Sequence, residues 1–414
     1  MSERAVPPEP AIHRAARTGD HAAIERLLAA GADVDEPADL EFDHGPHLRG
    51  LTPLLTAARS IDGATVATLR LLLDRGANLH ARAEGGGDAA WYAAGTGMRI
   101  PGLHTWRVVP EHVERLRFLL DAGLSPTGRN ASGSTCLCEA CGAGDPARVT
   151  LLLERGVRPG PDWGAEDSAA YERSTRALFG AQALPRFMPG EPPAGVAPLF
   201  RAAESGSSEC VDRLLAAGAS VTQRDEDGST ALAHARSPAV VRALVRAGAD
   251  VQAVDEWRKD PLAAVLDEAS GDGECLEPGL FEVARALVEA GAALDRVPGR
   301  ATSRLWDAAF SHNADAVEFL LSMGLRPMPD SRDGQTPLHA IAWQGECDHA
   351  PKNAACERII RALVAAGNPV DARDEHGRTP LGEAHGGDWR NDTAIRVLLE
   401  LGADPGGGRA ERGK

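Results

Sequence analysis

Nowhere in the sequence do about 18 apolar residues follow one another, the length that an apolar helix needs to cross a bilayer. The N-terminal stretch MSERAVPPEP also lacks the apolar run of a secretory signal peptide. We therefore expect a cytoplasmic protein that has no membrane partner.

The motifs of common enzyme chemistry are lacking as well. The chain contains no G-x-x-x-x-G-K-[ST] phosphate loop, no H-E-x-x-H zinc helix and no G-x-S-x-G nucleophile turn. The run DEDG at 225–228 resembles a calcium loop only in part, because Gln223 stands at the first ligand position and His234 at the last. We expect a protein that is not an enzyme and that needs no cofactor.

Positive charge is scarce. The 44 lysine and arginine residues are outnumbered by 60 aspartate and glutamate residues, so that the net charge is −16. Acidic residues occur along the whole length, which argues against nucleic acid and favours a protein partner with a basic or apolar surface. Nearly all basic residues are arginine, a bias typical of a GC-rich bacterial genome.

The seven cysteines form no secreted disulfide framework, because their number is odd and three of them crowd into CLCEAC at 136–141. The simplest interpretation is that Cys141 packs as a small apolar residue. Two zinc sites remain as alternatives, one within this run and one formed by Cys347, His349 and Cys356.

An internal repeat is the dominant pattern. A Leu- or Val-rich helical end followed by glycine recurs ten times, and its glycines are Gly31, Gly76, Gly123, Gly156, Gly218, Gly248, Gly291, Gly324, Gly367 and Gly402. A helix-start position aligns in each unit at Pro10, Thr52, Asp88, Thr135, Ala197, Thr230, Asp260, Ser303, Thr336 and Thr379. Seven of the nine distances from a closing glycine to the next start are 12 residues. The spacing predicts about ten units over residues 8–405.

This array resembles the ankyrin-repeat family. TPLH stands at Thr336–His339, and TPL stands at 52–54 and at 379–381. The resemblance implies an all-α repeat solenoid, with stacked helix-turn-helix repeats and short projecting finger hairpins. It also implies that fingers and first helices line a concave groove for partner proteins. His13 and His339 would then hydrogen-bond finger backbone and take no part in catalysis.

The residues of each unit support a helix-turn-helix independently. Thr, Ser or Asp at the start position can cap free backbone N–H groups, and proline suits the next position. Gly19 and Gly206 supply a left-handed turn after the first helix, and His312 takes the same place in its unit. The second helix carries apolar residues at i, i+3 and i+4. Because no unit can bury this stripe alone, stability must come from neighbouring units.

Three units carry extra residues between their helices, at about 95–110, 270–280 and 345–356, and we expect these insertions to project from one edge. Unit six is instead three residues short, with Ser237-Pro238 where the turn between helices belongs. We predict a local change in stacking at this unit.

The longest irregular segment divides the predicted array. Residues 1–158 hold repeats one to four, and residues 197–405 hold repeats five to ten, before a disordered tail at 406–414. The segment between them, 159–196, is interpreted as an insertion or a decayed repeat that could act as a hinge.

The candidate partner-binding residues lie in fingers and insertions. The enlarged first finger contributes carboxylates at Asp35, Glu36, Asp39, Glu41 and Asp43. Insertions, a finger and a loop contribute His104, Trp106, Trp163, Trp257 and Trp389, and tryptophan is enriched at interface hot spots. Tryptophans within first helices are expected to pack instead, and these are Trp91, Trp306 and Trp343.

We therefore predict a monomeric, non-catalytic protein-interaction module. Two alternatives remain. The chain could be an inhibitor of the immunity or antitoxin type that masks a partner enzyme or toxin, or it could have a metal-dependent activity in the insertions that carry Cys and His.

Overall fold

The computed structural model describes residues 9–40, 48–95, 98–99, 106–107, 111–131, 133–159, 197–269, 279–295, 299, 302–329, 333–343, 350–386 and 390–406. The contacts between residues divide the chain into two compact units. The N-terminal unit is Met1–Ala231 with Ala235–Ala249, and the C-terminal unit is Leu232–His234 with Asp250–Lys414.

The N-terminal unit is a stack of helix pairs. Its first helices are α1 (Ala11–Thr18), α3 (Pro53–Arg59), α5 (Ala89–Gly95), α7 (Cys136–Gly142) and α9 (Pro198–Ser205). Its second helices are α2 (His21–Ala29), α4 (Val66–Asp74), α6 (Glu111–Asp121), α8 (Pro146–Glu154), α10 (Ser208–Ala216) and α11 (Pro238–Arg246). Each first helix packs on the next first helix, and from α4 onward each second helix packs on the next second helix.

The C-terminal unit repeats this arrangement. Its first helices are α12 (Pro261–Glu268), α14 (Arg304–Phe310), α16 (Pro337–Trp343) and α18 (Pro380–Gly386). Its second helices are α13 (Leu280–Glu289), α15 (Ala314–Ser322), α17 (Ala350–Ala365) and α19 (Asp392–Glu400). α14, α16 and α18 pack in sequence along one layer, and α15, α17 and α19 pack in sequence along the other.

The predicted start and stop signals act as expected. Thr135 accepts a hydrogen bond from the N–H of Cys138 at 3.2 Å, and Asp260 accepts one from Ala263 at 2.9 Å. Each of these bonds satisfies a free N–H in the first turn of a helix. The closing glycines all have φ between 83° and 110°, and His312 has φ 56°. The local chemistry of the repeat therefore sets the limits of its helices.

The sixth repeat departs from this pattern, as its shortened sequence predicts. Residues 231–234 form turns, and helix begins again only at Pro238. The N–H of Arg236 instead donates to the carbonyl of Ala203 at 3.2 Å. Since three residues are missing, the segment is too short for both a first helix and a turn. The boundary between the two compact units falls in this repeat.

The fourth and fifth repeats stack directly, because α7 packs on α9 and α8 packs on α10. The predicted insertion, decayed repeat or hinge at 159–196 lies outside the described residues from position 160 onward and stays a prediction. The predicted disordered tail lies outside them from position 407 onward.

Two irregular segments contain antiparallel hairpins. In the first finger, β1 (Ala38–Leu40) pairs with β2 (Leu48–Leu51). In the insertion of the third repeat, β3 (Met98–Arg99) pairs with β4 (Trp106–Arg107). The insertion predicted at 345–356 is shorter than expected, since α17 already begins at Ala350. Its sequence APKNAA offers alanine and lysine, which favour helix over loop.

Buried arginines join neighbouring repeats of the N-terminal unit. Arg115 on α6 is 1% exposed and donates to the carbonyls of Ala57 and Ser60, at 2.7 and 2.5 Å, where α3 ends. Burial lowers the pKa of Arg115 to about 10. Its guanidinium satisfies carbonyls that the end of a helix leaves without partners in the helix itself.

Candidate protein-interaction surface

The carboxylates of the first finger bind backbone amides. Both oxygens of Asp35 accept from the N–H of Asn78 in the next finger, at 3.0 and 3.1 Å. Oδ1 of Asp39 accepts from the N–H of Gly50 at 3.1 Å, within the same hairpin. These two predicted site residues therefore also support local structure. Two further predicted carboxylates, Glu41 and Asp43, lie outside the described residues.

The histidine of the repeat motif has the structural role that the resemblance implies. Nε2 of His13 lies 2.8 Å from the carbonyl of Glu36, and Nε2 of His339 lies 3.1 Å from the carbonyl of Arg378. Both rings are almost fully buried, and burial lowers the pKa of each below its ordinary value. Neutral rings are favoured in the fold, and they connect a first helix to a finger.

Among the tryptophans predicted to bind a partner, Trp257 is the one whose side chain the structure describes. It lies in the finger between repeats six and seven and is 66% exposed. The next residue, Arg258, has φ 58°, where the corresponding finger positions hold Gly228 and Gly377. The finger therefore presents a large aromatic ring to solvent beside a residue in the left-handed conformation.

The other predicted aromatic candidates are placed only in part. The backbone of Trp106 lies in β4, opposite Arg99. His104, Trp163 and Trp389 lie outside the described residues. The structure thus leaves the predicted grouping of these residues untested.

An aromatic stack in the C-terminal unit was not predicted from the sequence. The rings of Trp306 and Phe310 on α14 lie 5.1 Å apart between centroids, at an interplanar angle of 10°. The ring of Phe310 lies 5.9 Å from that of Trp343 on α16, at 22°. The three residues form one continuous stack across the first helices of repeats eight and nine, named here the aromatic stack.

The stack corrects the expectation that Trp343 packs in the interior. Trp343 is 57% exposed, and Trp306 and Phe310 are half-buried. In contrast, Trp91 is a local anchor as expected, because its indole N–H donates to the carbonyl of Ser134 at 3.1 Å. The alignment of the repeats could have indicated this stack, since Phe310 and Trp343 each stand seven residues after the start position of their repeat.

Acidic side chains accompany the aromatic stack. The first helices α12, α14, α16 and α18 carry Asp267, Glu268, Asp307 and Glu383. Their one arginine, Arg304, is buried and paired with buried Asp260, and they contain no lysine. Two of these acidic side chains are paired with cations from the fingers, since Asp267 lies 2.7 Å from Lys259 and buried Glu383 lies 2.8 Å from Arg378.

A small cleft separates α12 from α14. Its lining includes Ala263 and Asp267 on one side and Asp307 and Ala308 on the other, and its volume is about 40 Å³. Nζ of Lys259 lies 2.7 Å from Oδ2 of Asp267. Sites for small molecules usually measure several hundred Å³, and one water takes about 30 Å³. The cleft has room for a water molecule but not for a metabolite.

The cysteines of CLCEAC are packing residues. Cys136, Cys138 and Cys141 are fully buried reduced thiols, which agrees with the interpretation of Cys141 as a packing residue. Burial raises the pKa of the Cys138 thiol to about 11, so that its thiolate form is disfavoured. Across the described part of the chain, no group of three or more His, Cys, Asp or Glu side chains is arranged to hold a metal ion. Cys347 and His349, which belong to the second of the two alternative zinc sites, lie outside the described residues.

The family model of ankyrin repeats in three copies matches residues 169–255 and 305–407. Together with the repeat geometry described above, this match shows that the chain is an ankyrin-repeat protein. The predicted fold class, an all-α solenoid of stacked helix-turn-helix repeats with short finger hairpins, is confirmed. Repeats of this family generally mediate protein–protein interaction.

Curated relatives share the repeats over part of their length. The chain is 30% identical over 250 residues to the ankyrin repeat and KH domain-containing protein mask-1 of Caenorhabditis elegans, covering 58% of this chain and 9% of that protein. It is 26% identical over 333 residues to the E3 ubiquitin-protein ligase KEG of Arabidopsis thaliana, covering 70% of this chain and 18% of that protein. The chain thus spans less than a fifth of either relative.

Among solved structures, the ankyrin repeat domain of Bcl-3 is 26% identical to this chain, with a TM-score of 0.38. The match covers 62% of this chain and 94% of the Bcl-3 chain.

In the part of the chain that the structure describes, no helix combines the length and apolar character that crossing a membrane requires. Bacterial origin, cytoplasmic location and the monomeric state stay predictions from the sequence, and the two relatives described above are eukaryotic.

Proposed function

We propose that this ankyrin-repeat protein is a non-catalytic recognition module. The first helices of its C-terminal unit form the main contact surface, and the aromatic stack is the anchor. The finger that carries Trp257 adds a second exposed aromatic ring. The partner is a protein whose contacting surface is basic or apolar.

The exposure of Trp343 carries this proposal. A side chain of this size that leaves 57% of its surface in water forgoes burial that it could gain in the core. Large exposed aromatic groups mark interaction sites, and tryptophan is among the residue types that dominate binding free energy. The neighbouring rings of Phe310 and Trp306 hold the indole in a fixed orientation, so that little entropy is lost when a partner covers it.

The acidic first finger supports the proposal less strongly. Its described carboxylates at Asp35 and Asp39 already accept hydrogen bonds from backbone N–H groups. These local bonds are enough to explain the presence of both carboxylates, and no contact with a partner protein is needed. The negative charge of the finger still favours approach of a basic surface at long range. We therefore assign the finger a steering role and the aromatic stack the short-range contact.

Enzymatic activity gains no support from the described residues. The buried thiols have raised pKa values, the histidines of the motif bind backbone carbonyls, and the cleft beside α14 is too small for a substrate. The inhibitor alternative is a special case of protein recognition, and it would use the same surface.

Affinity capture from a lysate of the source organism tests the proposal. The bait is the full chain, compared with a Phe310→Ala/Trp343→Ala variant and with Leu399→Ala. Leu399 is a matched control because it is 41% exposed and lies on the second helix α19 of the same unit. We expect a protein that the wild type and the control capture and the double variant loses. Equal capture by all three baits would remove the aromatic stack from the site.

A further inference from the structure

Four charged side chains on the second helices of the ninth and tenth repeats form a closed set of ion pairs. Arg361 lies 2.8 Å from Glu357 on its own helix α17 and 2.6 Å from Glu400 on α19. Arg396 lies 2.9 Å from Glu400 on its own helix α19 and 2.7 Å from Glu357 on α17. Each carboxylate is therefore shared by two guanidiniums. These four residues are named here the ion network.

A further arginine joins α17 to the preceding second helix, α15. Nε and Nη2 of Arg358 donate to the two oxygens of Glu318, at 3.1 and 3.0 Å, and Nη2 also lies 2.7 Å from Asp315. A guanidinium that binds a carboxylate through two nitrogens is held in a defined orientation. The second helices of repeats eight, nine and ten are thus connected by charge.

The arrangement differs from the ion pairs between second helices of the N-terminal unit. There, Arg75 lies 2.7 Å from Glu25 on the preceding repeat, as one guanidinium with one carboxylate. An isolated exposed pair contributes little, because ordering two long side chains offsets most of the attraction. In the ion network each side chain is ordered once and makes two contacts. The network therefore attaches one helix to the other more strongly than a single pair would.

The tenth repeat depends on this contact more than an internal repeat does. It is the last repeat that the structure describes, and it packs on one neighbouring repeat, with α18 on α16 and α19 on α17. Because each repeat of a solenoid is stabilised by its neighbours, a repeat with a single neighbour has a single junction to hold it. Local opening is easiest where such contacts are fewest.

We propose that the ion network makes the attachment of the tenth repeat to the ninth depend on ionic strength. At low salt the network holds α19 on α17. As ionic strength rises, the tenth repeat opens more often while the seventh repeat of the same unit stays folded. This inference concerns the conformation of the fold and does not depend on the proposed function.

The exposure of the four side chains supports this dependence on salt. Between 34% and 52% of each side chain is exposed, so that dissolved ions reach and screen the charges. The apolar side of the same helix is buried, since Leu398 is 0% exposed. Salt does not screen apolar packing. A change of stability with salt at this junction therefore reports the ion network.

Hydrogen exchange with mass spectrometry on the full chain tests the proposal, at about 20 and about 500 mM NaCl. Rates are normalised to those of the unfolded chain at each salt concentration. The neutral variant is Glu357→Gln/Arg361→Gln/Arg396→Gln/Glu400→Gln. The swapped variant is Glu357→Arg/Arg361→Glu/Arg396→Glu/Glu400→Arg, which reverses every charge and keeps every pair. Both variants retain the net charge of the wild type, and glutamine is as good a helix former as the residues it replaces.

In the wild type we expect the amides of α19 to exchange about fivefold faster at high salt than at low salt. The amides of α12, in the seventh repeat, should change by less than about twofold. In the neutral variant α19 should exchange at low salt about as fast as the wild type does at high salt, and salt should change this rate by less than about twofold. The swapped variant should behave as the wild type does.

Three results would overturn the inference. The first is exchange of α19 in the wild type that is equal at both salt concentrations. The second is a neutral variant that keeps the salt response of the wild type, or a swapped variant that loses it, because either would separate the response from the ion pairs. The third is an equal acceleration in α12 and α19, which would show that the C-terminal unit opens as a whole.

Discussion

Arg148 on the second helix of the fourth repeat donates to the carbonyl of Ala93, 2.9 Å away, at the end of the first helix of the third repeat. A second bond joins it to the carbonyl of Ala94 at 2.7 Å, and its Nε lies 2.6 Å from Asp145. The side chain of Arg148 is 0% exposed and that of Asp145 is 1% exposed. The buried pair of Arg148 and Asp145 thus satisfies the end of the first helix of the third repeat and also lies at the start of the second helix of the fourth repeat.

Replacement of Arg148 by alanine should strongly destabilise the N-terminal unit. The change leaves Asp145 buried without its counter-charge and two helix-end carbonyls without donors, for an expected loss of about 3–5 kcal/mol. Arg155→Ala is the control, because its pair with Asp121 is largely exposed and contributes at most about 1 kcal/mol. Urea denaturation followed by circular dichroism measures both losses. Similar losses in the two variants would contradict the role of the buried pair.

The two compact units should respond separately to core substitutions. Leu338 on α16 is fully buried in the C-terminal unit, and Leu72 on α4 is fully buried in the N-terminal unit. Each change to alanine removes about 2–5 kcal/mol of packing. In hydrogen exchange with mass spectrometry, Leu338→Ala should raise exchange in residues 250–406, and Leu72→Ala should raise it in residues 9–231. Loss of protection throughout the chain in either variant would show that the sixth repeat transmits stability.

Acidification should destabilise the fold through the buried histidines. Burial is the largest cause that lowers the pKa of His339 below its ordinary value of 6.5. The unfolded chain therefore binds more protons than the folded chain between that lowered pKa and pH 6.5, so the free energy of unfolding falls as the pH drops through this window.

A His339→Asn variant should show a weaker dependence of stability on pH between about 7 and 5 than the wild type. His80→Asn serves as the control, since His80 is an exposed finger residue. Thermal melts across this pH range give the comparison. An unchanged pH dependence in His339→Asn would assign the effect to other groups.

Asp35 separates the structural role of the first finger from its steering role. Asp35→Ala removes the acceptor for the N–H of Asn78 and should lower the free energy of unfolding by about 1 kcal/mol. Glu84→Ala, in the next finger, removes a charge from an exposed side chain and should leave stability within about 0.5 kcal/mol. Association rates with the captured partner, measured at low and high salt, test the steering role. If Asp35→Ala changes neither stability nor rate, both roles fail.

Local chemistry made the repeats predictable. A capping side chain, a proline in the first turn and a glycine with positive φ act over three or four residues, and all of them can be recognised in the sequence. The spacing of 12 residues and the motif TPLH gave the family, and the deletion beside Ser237 marked the repeat that lacks a first helix. These features depend on neighbours along the chain.

The candidate site depended on contacts between repeats. Trp306 and Trp343 occupy first helices alike, and only the packing of α14 on α16 decides that one is half-buried and the other exposed. Arg148 appears in the sequence as an ordinary surface residue, yet the stack encloses it.

The sequence by itself determined the repeat fold, because capping and periodicity depend on residues that are close together along the chain. Tertiary structure alone decided which aromatic rings meet water and which charges are buried. Exposure is set by residues about 30 to 60 positions away on the neighbouring repeat, as in the pairing of Arg148 with Ala93 and the stacking of Phe310 on Trp343.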